Sequence, residues 1–577
     1  MNRKFLLFLL LMVVVFSMSV MACTTMIVTK GASVDGSVFV GHSDDDHFMD
    51  QRIVYVPAKD YPEGSKRKVY ATAAAVGEFP QFNTYFYPRL VDGFRAPAYA
   101  SDEYPLTIPL GEIPQVAHTY AYFDGNYGIM NEHQLMFGEC TNGAKVTLDP
   151  LPGVRLFYSS ELSRVALERC KTAREAVELM GELIDTYGYY GTGETLPVAD
   201  PNEAWVFEMA PSPEETGGLW VAKKIPDGEV FVSGNIFRIR EVDPDDPDML
   251  YSENLHAVAE KYGWWSPEDG LLDWLPTVSL GEYNHPYYSL RRIWRLFDRM
   301  APSLELSPWV ENGLTRAYPF SVKPDEKLSL QDVFSLFRDH YEGTEFDLTQ
   351  GVGAGPFGDP NRYYGAYDGQ GDVGDPSKQL DGAWERPISV NYCGYVFVNQ
   401  GRSHLPDPIG GVMWMGPDKP SDTCFMPFYA GANGLPSIIE TYSPYDFDHN
   451  SAWWAFNFVA NWAEKKYSYM HPEIAAKQEY HEEASIELIR QMDKKALALL
   501  NENPEALADF LRQVGSNNAE KVVADWWKLS EYLIAKYNDG YITTPGNAAQ
   551  PVGYPREWLD RTEWVDGPTQ YEKKESK

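Results

Sequence analysis

The 577 residues include 49 Lys and Arg against 83 Asp and Glu, which gives a formal net charge of −34. Such an acidic surface provides solubility and repels phosphate backbones and anionic headgroups, so nucleic acid is excluded as an expected partner. Hydrophobic residues make up 44% of the chain, enough to bury a core, and the length predicts one large unit with additions or two to three modules.

Residues 1–22 have the features of an export signal. Arg3 and Lys4 give a positive start, an apolar run follows from Phe5 to Phe16, and Val20-Met21-Ala22 offers small residues at the positions that a signal peptidase reads. The apolar run is too short to span a bilayer comfortably. We therefore expect an exported mature chain that begins at Cys23, with no membrane anchor.

The first elements after this leader predict a hairpin. Cys23 to Thr29 is rich in β-branched residues and predicts a strand, Lys30 to Gly36 has turn chemistry, and Ser37 to Val40 predicts the returning strand. In a hairpin the start of the first strand lies beside the end of the second, so Cys23 is expected opposite residues 43–48. The run His42-Ser-Asp-Asp-Asp-His47 lies there, and it places a carboxylate cluster beside the new N-terminus.

The following part of the chain mixes strands and helices. Strand patterns occur at Gly128 to Gly138, Glu203 to Met209 and Val230 to Phe237. Helices are expected around Ser160 to Tyr187, and the mixture indicates α+β layers. Residues 243–285 and 345–385 are rich in Asp, Pro, Gly and Tyr and predict long loops, which often build a substrate site.

The C-terminal part is predicted to be helical from Ser451 to Tyr541. Apolar residues recur there at helical spacing, namely Ile486, Ile489, Met492, Ala496, Leu499 and Leu500. Asn503-Pro504 is typical of a helix start. We therefore divide the chain into a leader (1–22), a main domain with loop insertions (23–450), a helical region that packs on it (451–541) and a polar tail (542–577).

The five cysteines show no CxxC pair and no regular spacing, so they indicate neither a zinc site nor a disulfide framework. An odd number leaves at least one thiol unpaired in an exported protein. A cysteine that begins the mature chain combines a thiol with a free α-amine, whose ordinary pKa of about 7.7–8.0 lets it accept the thiol proton. Cys23 would then be nucleophile and base in one residue, whereas no role is predicted for Cys140, Cys170, Cys393 and Cys424.

Three other interpretations follow from the residues alone. Val20-Met21-Ala22-Cys23 also matches a lipobox, in which the thiol of a lipid-anchored binding protein carries a diacylglyceryl group, and such a thioether cannot attack a carbonyl. Cys23 as an ordinary buried strand cysteine is a second alternative. A papain-like pairing of Cys140 with one of the 11 His is a third, and it lacks any local signature.

The segment from Cys23-Thr-Thr-Met-Ile-Val to Asp35-Gly-Ser-Val-Phe-Val-Gly-His-Ser-Asp-Asp45 resembles the start of the mature cysteine dipeptidases related to dipeptidase A of lactic acid bacteria. Seven more segments resemble that family in the same order: Gly128-Ile-Met-Asn-Glu132, Asp200-Pro-Asn-Glu-Ala-Trp205, Gly234-Asn-Ile-Phe-Arg-Ile239, Tyr288-Ser-Leu-Arg-Arg-Ile-Trp-Arg295, His340-Tyr-Glu-Gly-Thr344, Arg386-Pro-Ile-Ser389 and Pro427-Phe-Tyr-Ala-Gly431. Eight segments in order are hard to produce by chance, so the resemblance outweighs the lipobox.

The resemblance implies roles for individual residues. Cys23 is the expected nucleophile, Asp45 the carboxylate that holds its α-amine, and Asn235 the amide donor of the oxyanion hole. Arg292 and Arg295 match an Arg-x-x-Arg pattern whose first Arg lies near the nucleophile; Arg291 leaves the register open by one. Either could also grip a dipeptide carboxylate.

Two further positions complete the expected site. Asn131, with Glu132, is expected to position a strand near it. His42 stands where the family usually has Arg, so its role in activating the thiol is open. The predicted substrate-binding residues are thus His42, Asn131 and Arg295.

The residue types alone leave bland alternatives. Asp44-Asp45-Asp46 could be a solvated turn. His42, Asp44, Asp46 and His47 could instead supply ligands to a metal, although successive residues of a strand alternate sides. Asn235 could be a turn residue. The four arginines Arg291, Arg292, Arg295 and Arg299 could form one basic face of an exposed helix.

The resemblance also implies the fold and the reaction. The expected fold is α+β, the four-layer αββα sandwich of N-terminal nucleophile hydrolases such as penicillin V acylase and bile salt hydrolase, with a helical C-terminal addition. The expected reaction is hydrolysis of dipeptides through a thioester, without cofactor or metal. An acylase that cleaves linear non-peptide amides by the same mechanism is the nearest alternative. Formation of a homo-oligomer is left open.

Overall fold

The structure, a computed structural model, describes residues 23–46, 49–71, 87–214, 216–283, 286–363 and 385–562. The predicted leader, His47, residues 364–384 of the second predicted loop and the end of the tail lie outside the described residues.

The strands are β1 (Thr24–Val28), β2 (Val38–Asp44), β3 (Val54–Val56), β4 (Lys59–Asp60), β5 (Lys66–Val69), β6 (Gly111–Pro114), β7 (His118–Thr119), β8 (Tyr122–Asp124), β9 (Gly128–Asn131), β10 (Met136–Phe137), β11 (Cys140–Asn142), β12 (Gly193–Ala199), β13 (Ala204–Pro211), β14 (Gly218–Lys224), β15 (Val230–Ser233), β16 (Glu241–Val242), β17 (Met249–Tyr251), β18 (Leu272–Asp273), β19 (Ser321–Val322), β20 (Tyr395–Gly401), β21 (Val412–Pro417), β22 (Met426–Tyr429), β23 (Tyr541–Ile542) and β24 (Gln550–Pro551). The helices are α1 (Ser159–Arg169), α2 (Ala173–Tyr187), α3 (Leu255–Lys261), α4 (Trp274–Val278), α5 (Leu290–Met300), α6 (Leu330–Phe337), α7 (Asp407–Gly410), α8 (Ser437–Glu440), α9 (Ala452–Ala463), α10 (Tyr467–Glu502), α11 (Leu507–Lys536) and α12 (Arg556–Arg561).

The first sheet has seven strands in the order β19-β15-β1-β2-β20-β21-β22, and its neighbouring strands are antiparallel. Its centre is the predicted hairpin of β1 and β2. The turn between them needs Gly36, whose φ of +75° is a conformation that other residues rarely adopt. Because β1 and β2 are buried on both faces, a slip of one residue in the hairpin would exchange the side chains that pack on its two faces.

The second sheet runs β17-β14-β13-β12-β10-β9-β8-β3, with β11 also paired to β12. The two sheets face each other, since β12 contacts β1 and β2. Helices α1 and α2 cover the outer face of the second sheet, and helices α6, α9 and α11 pack on the first. The protein therefore has the expected α+β architecture with αββα layers.

Helix α2 shows how the sequence builds the outer layer. Thr172 and Glu175 form a capping box at its start, and Gly188 follows its end with a φ of +72°. The apolar residues Val177, Met180 and Ile184 recur at helical spacing and are buried against the second sheet. Local capping therefore determines where this helix begins and ends, the apolar spacing determines which face packs on the sheet, and Asp200 accepts from the Ala173 N–H at its start.

The predicted C-terminal helices are α9, α10 and α11. Asn503 precedes a short 3-10 turn that starts at Pro504 and leads into α11. Ile489, Met492 and Ala496 are buried, whereas Ile486, Leu499 and Leu500 are half-buried at the same core. Helix α11 packs on β22. Within the described residues, no helix is both long and apolar enough to cross a membrane.

The prediction of a long loop over residues 243–285 is wrong in part. The segment contains β17, α3, β18 and α4. Leu255, Leu272 and Trp274 anchor these short elements because all three side chains are fully buried in the core. Most of the Pro and Gly residues of this segment lie in the turns between short elements and do not form one continuous loop.

A buried ion cluster ties the chain just after the first hairpin to the second sheet. Asp50 is fully buried and accepts hydrogen bonds from Arg52 Nε at 2.9 Å and from Arg52 Nη2 at 2.6 Å. Arg89 donates from Nη1 to the Asp50 carbonyl at 2.9 Å. These guanidinium groups overcome the effect of burial and lower the pKa of Asp50 to about 2.

Replacing this carboxylate should destabilise the fold. We expect Asp50→Asn to cost about 3–5 kcal/mol of unfolding free energy at neutral pH, since two arginines lose their buried counterion. The ordinary pKa of Asp is about 3.9, so the stabilisation is complete above about pH 4 and is lost as the pH falls towards 2. Urea unfolding followed by tryptophan fluorescence measures both effects. As a control, Glu178→Gln breaks an exposed pair with Arg174 and should cost no more than about 0.5 kcal/mol; equal losses would contradict the assignment.

Candidate active site

Cys23 directly precedes β1, in the middle of the first sheet, and its side chain is 1% exposed. On one side Thr24 pairs with Ser43 of β2, so Cys23 lies beside Asp44, inside the window predicted from the hairpin. On the other side β1 pairs with β15, and the same register brings Asn235 next to Cys23. The sheet therefore carries the thiol, the acidic run and the predicted amide donor together.

Arg292, on α5, is the connection between these segments. Its guanidinium has five N–H groups, and all five have acceptors 2.7–3.0 Å away. The acceptors are Tyr288 O, Cys23 O, Thr24 Oγ1, Gly234 O and Asn235 Oδ1. Arg292 therefore holds both Cys23 and Asn235 in position.

The remaining arginines of α5 do not form an exposed basic face. Arg291 is fully buried, with its guanidinium carbon 3.7 Å from the ring centre of Phe346 and 4.3 Å from that of Tyr287. Arg295 pairs with Asp339 at 2.9 Å. The register that the sequence left open is resolved, because Arg292 and not Arg291 bonds to Cys23.

Asn235 connects the two sheets. Its φ of +65° is the left-handed conformation in which Asn is common, so it is a turn residue and a potential donor at once. Its backbone N–H donates to Cys140 Sγ at 2.7 Å, and Nδ2 donates to Thr141 O at 2.7 Å. An amide nitrogen has two N–H bonds. Among the described residues only Thr141 O accepts from Nδ2, so its second N–H could serve another acceptor.

Cys140, for which the sequence predicted no role, belongs to this site. Its Sγ donates to Cys23 O at 3.1 Å and accepts from Asn235 N. Burial raises the pKa of Cys140 to about 12, so the thiol stays protonated. Cys140 therefore links the two sheets by hydrogen bonds, and its protonated thiol is not suited to be a nucleophile.

Asp45 lies close enough to Cys23 for its charge to add to burial in raising the pKa of the thiol, and it is 1% exposed. Its Oδ2 pairs with Arg386 Nη2 and accepts from Ser43 Oγ at 3.1 Å. Among the described residues, Oδ1 has no nitrogen or oxygen donor, and the Cys393 thiol lies close to the same carboxyl. Burial raises the pKa of Asp45, and the Arg386 guanidinium and the Cys393 thiol oppose that rise. A cation placed at Oδ1 would satisfy this buried oxygen.

The acidic run is not a solvated turn, since Asp44, Asp45 and Asp46 are all at most 5% exposed. Asp44 accepts from Asn126 Nδ2 at 2.6 Å, and burial raises its pKa to about 7. Asp44 and Asp45 turn to different partners, as the alternation of a strand requires. The alternative metal site that combined them with His47 extends outside the described residues.

His42 is buried at 1% exposure beside the same thiol. Its Nδ1 lies 2.8 Å from Glu139 O and 3.3 Å from Glu139 N. The shorter contact favours a protonated Nδ1 that donates to the carbonyl, which leaves the lone pair on Nε2. Burial lowers the pKa of His42 to about 4, so this side chain is neutral at neutral pH.

Glu139 is the main residue that the sequence did not point to. It is fully buried, and its carboxyl lies against the Cys23 thiol and the Glu194 carboxyl. Burial and Glu194 raise the pKa of Glu139 well above its ordinary value, and burial raises that of Glu194 to about 7. Two such carboxyls in contact cannot both be ionised, so they share a proton.

Asn131 and Arg295 lie apart from this cluster. Asn131 Nδ2 donates to Leu167 O and Cys170 O, both at 2.9 Å, and so fixes the end of α1 against β9. Arg295 donates to Asp339 and to Glu342 O. The recorded partners of both residues are structural, and a role in substrate binding remains a prediction.

Glu139, Arg386 and Cys140 reach the site from distant segments. Arg386 lies within one of the segments that carry the family resemblance, so that signal was present without a role attached. The sequence also held a signal for Glu139, which lies between Phe137 at the end of one strand and Cys140 at the start of the next. An acidic residue in such a buried region requires a partner, so its position alone could have marked it as a site residue.

The orientation of His42 can be tested directly. We expect its ring to be neutral at neutral pH, with Nδ1 protonated and Nε2 bare, because the Glu139 carbonyl accepts from Nδ1 and burial disfavours the imidazolium. Long-range ¹H–¹⁵N correlation spectra of histidine-labelled protein measure this, and His42→Gln assigns the signal by its loss. An imidazolium, or a protonated Nε2, at neutral pH would contradict the geometry.

Comparison with known proteins identifies the family of the chain. The profile of Peptidase family C69 matches residues 22–480. A "Probable dipeptidase" of Latilactobacillus sakei is 25% identical over 451 residues, covering 77% of this chain and 82% of that protein. A "Probable dipeptidase" of Salmonella dublin is 26% identical over 427 residues, covering 71% and 82%.

Among solved structures, penicillin V acylase from Agrobacterium tumefaciens aligns with 70% of this chain and 86% of its own chain. The sequence identity is 10% and the TM-score is 0.27. The family match extends over most of the chain, beginning one residue before Cys23 and ending within α10. The chain belongs to Peptidase family C69 and is a cysteine-type peptidase.

Proposed function

We propose that this protein is an exported dipeptidase that cleaves dipeptides with the Cys23 thiol after its leader has been removed. The observation that carries the proposal is the position of Cys23, whose neighbours on both strands are the groups that such a reaction uses. Asn235 supplies an amide donor, Asp45 supplies a carboxylate, and Arg292 bonds to the Cys23 carbonyl. The relatives in the same family carry the name dipeptidase.

Removal of the leader changes the chemistry of Cys23. With the bond to Ala22 intact, burial and the Glu139 carboxyl raise the pKa of the Cys23 thiol well above its ordinary value. The thiol is then protonated and a poor nucleophile. Cleavage creates an α-amine on the same residue, which can accept the thiol proton directly or through one water. While it is attached, the leader therefore inhibits the reaction.

Asp45 is suited to hold the new amine. Its buried Oδ1 lacks a nitrogen or oxygen donor in the described residues, and its Oδ2 is fixed by Arg386 and Ser43. An ammonium at Oδ1 would gain a charge-assisted hydrogen bond. The carboxylate would orient the amine before attack and stabilise the ammonium that attack produces, as a triad carboxylate does for its base.

The reaction then proceeds in two steps. Cys23 Sγ attacks the carbonyl carbon of the dipeptide, and the oxygen that becomes negative accepts from the free N–H of Asn235 Nδ2. The ammonium gives its proton to the leaving amine, which departs and leaves a thioester. Water activated by the amine hydrolyses the thioester and restores the thiol.

The first experiment tests whether Cys23 is the free N-terminus. We expect the intact mass and N-terminal sequence of the exported protein to show unmodified Cys23, and alkylation there to abolish dipeptide hydrolysis. Cys23→Ala should lose on the order of 10⁴-fold or more in kcat, as for other lost nucleophiles.

The matched control is Cys424→Ser, which removes another buried thiol and should keep the activity. A mass raised by a diacylglyceryl group, or retention of Ala22, would contradict the mechanism and favour the lipid-anchored binding protein. Cleavage of linear acyl amides without dipeptides would favour the acylase.

A second experiment separates the two arginines of the Arg-x-x-Arg pattern. Arg292→Lys leaves three N–H bonds on one atom to replace five, so we expect kcat for dipeptides to fall by roughly 10²–10³-fold, as after loss of an oxyanion donor. Arg295→Lys keeps a cation beside Asp339 and should leave kcat within a few fold. Circular dichroism checks that both variants fold. A rise in KM for Arg295→Lys alone would support the predicted role of Arg295 in binding the substrate carboxylate, and unchanged kcat in Arg292→Lys would contradict the role of Arg292.

A further inference from the structure

Three different metal-ligating groups meet at Cys23. The ligand atoms that Cys23, His42 and Glu139 offer all lie within 4.8 Å of one another, and none of the three residues is more than 1% exposed. Ligand atoms around a tetrahedral zinc ion are roughly 3–4 Å apart, given bond lengths of about 2.0–2.3 Å. Small side-chain adjustments would therefore bring a sulfur, a nitrogen and an oxygen onto one ion.

His42 is already oriented as a metal ligand. Nδ1 donates to the Glu139 carbonyl at 2.8 Å, and Nε2 is buried without a hydrogen-bond partner among the described residues. Histidines that bind metals usually donate the other ring N–H to a carbonyl or carboxylate, because this fixes the tautomer and raises the basicity of the ligating nitrogen. The backbone of Glu139 thus supports the same site to which its side chain belongs.

Unpartnered polar atoms gather around the same point. The Tyr127 hydroxyl and His42 Nε2 are buried without a hydrogen-bond partner in the described part of the chain, whereas the Glu139 and Glu194 carboxyls are hydrogen-bonded to each other. Tyr127 lies close enough to Glu139 and Cys23 for their charges to raise its pKa further. Buried polar groups in native proteins are nearly always satisfied, so these two unpartnered atoms point to a missing ligand.

We infer that Cys23, His42 and Glu139 form a site for a zinc-like divalent transition-metal ion, which blocks the nucleophile. Thiolate, imidazole and carboxylate together suit Zn²⁺ and exclude Mg²⁺ and Ca²⁺, which prefer oxygen ligands alone. The three protein ligands leave one tetrahedral position for water or for a neighbouring group.

Metal binding releases protons to solvent. The Cys23 thiol loses its proton as the sulfur–metal bond forms. The proton shared by Glu139 and Glu194 leaves Glu139, either to solvent or to Glu194, when the Glu139 carboxylate binds the metal. Thiolate and carboxylate then neutralise the two charges of the ion. Removing the ion with a chelator restores the thiol, so the block is reversible.

Metal binding itself uses side chains that are in place with the leader attached. The inhibitory consequence rests on the proposed function, because it takes Cys23 as the nucleophile. Position 42 determines the capacity to bind: a protonated guanidinium there could not donate a lone pair to a metal.

The test titrates metal-free protein with Zn²⁺ by calorimetry and with Co²⁺ by absorption. We expect one ion per chain, with a Co²⁺ spectrum that contains a thiolate charge-transfer band. Cys23→Ala should lose the band, and His42→Gln and Glu139→Gln should weaken Zn²⁺ binding at least tenfold, in the range known for altered metal sites. His42→Arg provides a second variant of the same position in case His42→Gln does not fold.

The control is His118→Asn, which removes an exposed histidine paired with Asp60 and should bind as the unchanged chain does. Dipeptide hydrolysis, compared with each variant's own metal-free rate, should be inhibited by Zn²⁺ and restored by EDTA, with a half-inhibiting concentration at least tenfold higher in the His42 variants. A Zn²⁺ affinity that is unchanged in the His42 and Glu139 variants, or a Co²⁺ spectrum without the thiolate band, would contradict the proposed metal site. If the unchanged protein binds Zn²⁺ through these three residues but does not hydrolyse dipeptides, the metal site is supported and only the proposed function is contradicted.

Discussion

The structure around the site depends on one buried cation. Arg292 is fully buried and directs every N–H of its guanidinium to a neutral oxygen. Burial and the neighbouring Arg386 lower its pKa, so the charge is held at a cost that only complete hydrogen bonding offsets. Each of those five acceptors must then lie where the rigid fork of the guanidinium reaches it. The start of β1, the turn at Gly234 and Asn235 and the start of α5 are thereby fixed relative to one another.

Charged groups of both signs surround Cys23. Arg386 and Arg292 lie near Asp45 and oppose the rise in its pKa that burial causes, whereas Glu139 contacts Glu194 and lies beside Cys23 and His42. Asp45 neutralises Arg386 directly, and its charge is felt at Arg292 as well. Within the described part of the chain, no arginine forms an ion pair with Glu139 or Glu194, and burial keeps these carboxyls partly protonated. Burial and the nearby carboxyls of Glu139, Asp44 and Asp45 together raise the pKa of the Cys23 thiol.

Much of the fold and half of the site could be predicted. The turn chemistry before Gly36 and the β-branched residues of β1 determine a hairpin, and the period of two along its strands determines which residues face each other. That was sufficient to bring Cys23 and the acidic run together. The resemblance then assigned Asn235 and Arg292, which lie in segments brought to the hairpin by β15 and α5. Glu139 was missed because its contact with His42 spans 97 residues and joins two sheets, and no local pattern encodes such a contact.

By itself, the sequence determined the α+β class, the hairpin that carries Cys23, the helical C-terminal region and the family. These properties depend on periodicity, turn residues and motifs, which are local in the chain. Only the tertiary structure decided that Arg292 and not Arg291 bonds to Cys23, that Asp44 to Asp46 are buried, and that Cys140, Glu139 and Arg386 complete the site. Those outcomes depend on which polar groups are buried together. Burial and hydrogen-bond satisfaction are properties of the packed layers as a whole, because residues far apart in the chain supply one another's partners.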